Sequence, residues 1–160
     1  MTFLSEHFRI SGLPASRFDH LFGLSDSTLA ELGAVRFIAD QVSSFPDRIE
    51  LRHARQGEAV ILVNYEHQSA RTPYRSRHAV FVLEGATETY DREDEVPEVL
   101  RVRTLALRGF DDRGMIADAG LIEGREIESL IDRLFANPQI RYIHAHYAAR
   151  GCYACQIDRI

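Results

Sequence analysis

The segment YIHAHYAARGCYAC, Tyr142 to Cys155, brings two histidines and two cysteines close together in the chain. Along a strand, side chains alternate between faces, so His144 and His146 point the same way. A rigid pair of imidazoles of this kind is half of a zinc site, or of a site for another transition metal. Cys152 and Cys155 differ by three positions and face opposite sides of a regular strand, so at most one thiol can join the histidines. The turn between the strands decides which one. An even loop such as AARG sets Cys155 opposite His144 and Tyr153 opposite His146, whereas an odd loop such as ARG brings Cys152 to the histidine face. Cys152 is also a candidate nucleophile, with a histidine as its base. The bland alternative is two small buried thiols beside hydrogen-bonded sheet histidines.

A second group lies in NYEHQSARTPYRSRH, a polar run between two apolar segments. His67 is a candidate general acid or base there, and Arg71, Tyr74, Arg75 and Arg77 are candidate ligands for an anion. All nineteen basic residues other than histidine are arginine. Schiff-base chemistry, a pyridoxal anchor and the P-loop lysine are therefore excluded, and any charged grip on a carboxylate or phosphate falls to a guanidinium. Paired CxxC, HExxH, GxSxG and GxGxxG signatures are missing as well.

The elements that must position these residues can be read from periodicity. FRISGL, VRFI, AVILVNY and AVFVL read as strands. SDSTLAELGA reads as a short helix capped by Ser25 or Asp26 and stopped by Gly33. SSFPDR is a loop around Pro46, and ETYDREDEVPE an acidic surface loop. RVRTLALRGF and MIADAGLI flank DDRG, whose Gly114 suits a hairpin turn. Ile127, Leu130, Ile131, Leu134 and Phe135 form one apolar stripe on a helix expected near Gly124 to Ala136. IRYIHAHY and CYACQIDRI close the chain as strands. The expected fold is α+β: one domain over 1–160, with a largely antiparallel or mixed sheet covered by one long amphipathic helix, plus the short N-terminal helix.

The length of 160 residues and hydrophobic share of 45% suit a globular domain with a real core. A net charge of -5 argues against nucleic acid or an anionic membrane as partner. The opening MTFLSEHFRI carries Glu6 and His7 where a signal peptide needs an unbroken apolar run, so a cytoplasmic protein with reduced thiols is expected.

Taken together, NYEHQSARTPYR, RTLALRGFDDRGMI and LFANPQIRYIHAHYAARGCYACQIDR resemble domain-of-unknown-function family 1203, from about Gly33 to the C-terminus. The YIHxH and GCY elements are the most specific part. The family pattern has a cysteine after the proline of SSFPDR, where this chain has Asp47. The resemblance implies boundaries and no activity. Three functional readings stay open: a His/Arg/Tyr pocket for a small anionic molecule, with or without catalysis; a metal-binding protein built on the HxH strand; and a non-catalytic protein-interaction module.

Overall fold

The computed structural model describes residues 7–41 and 44–160; Glu6 and Ser43 lie outside them. Nine strands of the described residues form two sheets. The larger has the order β5-β1-β9-β8-β6-β7, where β1 is Phe8–Ser11, β5 Asp91–Glu93, β6 Thr104–Phe110, β7 Ile116–Glu123, β8 Tyr142–Tyr147 and β9 Tyr153–Arg159. The smaller has the order β2-β3-β4, from Val35–Ile38, Ala59–Gln68 and Ser76–Leu83. Every strand pair is antiparallel.

This architecture corrects the expected fold class. The molecule is mostly β, in two antiparallel sheets, and no long amphipathic helix covers them. Helix α1 is Asp26–Glu31, capped by the Ser25 hydroxyl on the Thr28 amide; α2 is Glu98–Arg101. The apolar stripe of the C-terminal half exists, but its α-helix α3 spans only Ile127–Phe135. Gly124–Glu126 forms a 3-10 turn instead, and the reason is steric. Gly124 is pressed against the Leu100 carbonyl so closely that a Cβ would collide with it. That contact fixes the chain before the helix can begin, leaving two and a half turns.

The apolar face of α3 packs on one side of the larger sheet. Ile127, Leu130, Ile131 and Leu134 share a core with Leu105, Leu107, Ile143 and Ile157. A second core joins the smaller sheet and α1 to the other side, with Val60, Ile61, Val82 and Leu29 around Tyr153. Strands β8 and β9 are therefore covered on both faces, and polar groups between the sheets are taken out of water. The hairpin at DDRG forms as expected, with Gly114 at φ +79. None of the described helices is long and apolar enough to cross a membrane.

Candidate metal centre

Cross-strand register sets the site. On β8, Tyr142, His144 and His146 share the face turned to the smaller sheet, while Ile143 and Ala145 sit in the α3 core. Across β8 and β9, His146 pairs with Tyr153, Ala145 with Cys155 and His144 with Gln156. Ala154 is skipped, so β9 carries a bulge of one residue there. Tyr153 thus stands opposite His146, as a four-residue turn predicts. The bulge then moves Cys155 away from His144 and puts Gln156 in its place.

The third member comes from the other sheet. Strand β3 runs on past Tyr65 through residues expected to be loop, and its register to β4 shifts between Glu66 and Gln68. His67 is the residue at that shift. Its ring stacks on Tyr153, with centroids 5.7 Å apart and planes at 11°, and lies edge-on to His146 at 4.9 Å and His144 at 6.5 Å. One ring nitrogen of each of His67, His144 and His146 falls within 4.8 Å of the others.

The hydrogen bonds show which ring nitrogens of His144 and His146 are already used. His146 Nδ1 lies 3.0 Å from the Gly151 carbonyl, which can only accept, so Nδ1 carries the proton. Gln156 gives its amide NH2 to Asp158 at 3.0 Å, which turns its oxygen to His144 Nε2 at 3.2 Å. His144 Nε2 therefore donates. The nitrogens left over, His144 Nδ1 and His146 Nε2, are buried without a partner, as is His67 Nδ1. Two lone pairs and the partnerless His67 Nδ1 lie where buried polar atoms normally find a hydrogen bond.

Burial keeps the rings neutral. It holds His67 and His144 down to about 4 and His146 to about 3, with Arg108 pushing in the same direction. Arg108 stands directly opposite His144 across β6 and β8. Burial lowers its pKa too, and no carboxylate among the described residues pairs with it. His67, His144, Gln68, Tyr142 and Arg77 border a cavity of about 800 Å³.

The other expected site residues take different places. Arg77 reaches Asn64 at 2.5 Å on the cavity wall. Arg75 is exposed and paired to Glu66 at 2.6 Å. Tyr74 lies edge-on to Phe110 and half out in solvent, and Arg71 is exposed. Neither cysteine belongs to the histidine group. Cys155 is wholly buried, which pushes its thiol up to about 12, and Cys152 borders a different cavity. Arg108 and Gln156 were not singled out from the sequence. An arginine inside the apolar strand TLALRGF was the available sign for the first. The second needed the bulge.

Residues 44–159 match the family described as protein of unknown function (DUF1203). The chain belongs to the DUF1203 family. All three histidines, with Gln156 and Arg108, fall inside the matched segment, as does Asp47 in place of the cysteine that the resemblance implies. Asp47 is fully buried, and its two oxygens accept from the backbone amides of Leu83 at 2.7 Å and Glu50 at 2.5 Å. No curated protein and no solved structure matches this DUF1203 chain.

Proposed function

We propose that this protein is a metal-dependent enzyme for a small anionic molecule, with one zinc or other divalent transition ion held by His67 Nδ1, His144 Nδ1 and His146 Nε2. The observation that carries this reading is the convergence of three partnerless imidazole nitrogens, two of them on rings oriented by Gln156 and Gly151. Metal-binding histidines are oriented in this way, through a hydrogen bond from the other ring nitrogen. No cysteine or carboxylate of the described residues completes the group. Three protein ligands and an open position are the pattern of catalytic zinc, whose bound water ionises near neutral pH.

Charge supports the anionic substrate. Three neutral imidazoles leave an ion's two positive charges uncompensated, and Arg108 adds a third beside them. An anion spanning the metal and Arg108 would balance the site, and the cavity bordered by His67 and His144 gives it a way in.

Elemental analysis of untagged protein tests the reading. One equivalent of metal is expected, falling to background in a His67→Ala/His144→Ala double variant. The cobalt(II) form should show ligand-field bands without sulfur-to-metal charge transfer. Failure to bind zinc, cobalt or iron, or full metal content in the double variant, rejects it.

A further inference from the structure

A second cavity, of about 340 Å³, shares no lining residue with the first. Its volume lies in the range of small-ligand sites. Arg48, Arg103, Arg150 and His78 line it, and no acidic residue does, in a chain whose net charge is -5. The remaining wall is largely apolar, with Leu62, Phe81 and Pro46.

Arg48 is only 1% exposed. Its Nε donates to the Tyr153 carbonyl at 2.8 Å, Nη1 to the Pro46 carbonyl at 2.5 Å and Nη2 to Cys152 Sγ at 3.0 Å. Among the described residues no carboxylate forms an ion pair with it. A buried guanidinium without a counter-charge is costly, and two of its five N–H groups remain for another acceptor.

Tyr147 adds an independent sign. It is 4% exposed and lines the same cavity, yet its hydroxyl has no hydrogen-bond partner. The guanidinium carbons of Arg48 and Arg103 lie 5.0 and 5.1 Å from its ring centroid. Cation–π attraction holds two positive groups around a phenol that can still donate a hydrogen bond.

We propose that this cavity is a binding site for a small organic anion, a carboxylate or a phosphate monoester with a compact apolar body. The head group takes hydrogen bonds from the Tyr147 hydroxyl and Arg48, with Arg103 and Arg150 supplying further positive charge. The body lies against Leu62 and Phe81. The site stands without the metal centre, and its test separates the two.

Benzoate and phenyl phosphate are the probes, titrated calorimetrically into the full chain. Saturable binding at one site that survives His144→Ala is expected for at least one of them, and the one that binds there identifies the head group. Tyr147→Phe should weaken that binding about tenfold, the effect of one hydrogen bond to a charged group. The same change should leave the melting temperature of the unliganded protein unchanged or higher, because it removes a hydroxyl that has no partner. A purely structural tyrosine would lower it. His144→Ala should leave the affinity intact, and bound probe should slow alkylation of Cys152 by iodoacetamide. Absence of saturable binding by both probes, or equal affinity in Tyr147→Phe, overturns the proposal. Loss of binding in His144→Ala overturns it too, by placing the probe at the histidines.

Discussion

Gln156 stands directly opposite His144 across β8 and β9, and its amide oxygen takes the His144 Nε2 proton at 3.2 Å. Asp158 holds the amide in that orientation from the other end. The relay Asp158–Gln156–His144 leaves Nδ1 as the only lone pair of the His144 ring, pointing away from Gln156. Gln156→Leu keeps the volume and deletes the acceptor. It should weaken metal binding by about 10- to 100-fold, the usual cost of losing such a partner, while His144→Ala abolishes it. Competition against a chelator of known affinity measures the difference; an unchanged affinity in Gln156→Leu refutes the relay.

Acid sensitivity follows from burial. His67 and His144 ionise near about 4 and His146 near about 3, against roughly 6.5 in an unfolded chain. Between those values the unfolded chain binds protons that the folded chain refuses. Stability of the metal-free protein is therefore fully present above the unfolded value and falls as pH drops through the window. The same depression keeps protons from competing for these nitrogens in the folded protein throughout that window, down to about pH 4. Metal content after dialysis should be equal at pH 7 and pH 5 and decline only near pH 4. A release midpoint near pH 6, as for exposed histidines, contradicts the assignment.

Asp47 supports the loop that carries Arg48. Burial raises its carboxyl pKa, opposed by the amides of Glu50 and Leu83 that it accepts. Asp47→Ala strands both donors in a site closed to water. A loss of about 3 kcal/mol is expected on the ordinary cost of two buried unsatisfied groups. In a chain of this length that is a fall of roughly 10 °C in melting temperature. A change under about 2 °C would show that water reaches the two amides.

The strands and the shared face of His144 and His146 were legible because both depend on local alternation. The amphipathic stripe of α3 was equally plain, but its length was not. The contact that delays the helix lies between Gly124 and Leu100, far apart in sequence. The division into two sheets depends on which strands pair, and β1 pairs with β9 across nearly the whole chain. The third histidine of the group was misplaced for a related reason. Glu66, His67 and Gln68 lack apolar alternation and read as loop, yet pairing with Arg77 and Ser76 of β4 keeps that run in the sheet. Parity limited the cysteines to one at most, and the bulge at Ala154, which no turn residue announces, removed even that one.

Arg108 provides the test of what the centre binds. Its partner across the sheet is His144, it lowers the pKa of all three histidines, and burial disfavours its own charge. A cation in that position weakens the site for a bare metal ion and strengthens it for a metal ion carrying an anion. Arg108→Gln retains a polar side chain of similar reach and removes the charge. Metal content should be unchanged or higher, since one repulsion is gone. Titration of the cobalt(II) form with acetate or phosphate, followed by its visible bands, should show anion affinity reduced about tenfold. High salt should narrow the gap only partly, because screening is weaker for half-buried charges. Equal anion affinity in the two proteins would leave Arg108 outside the binding site and make the metal alone the anion's anchor.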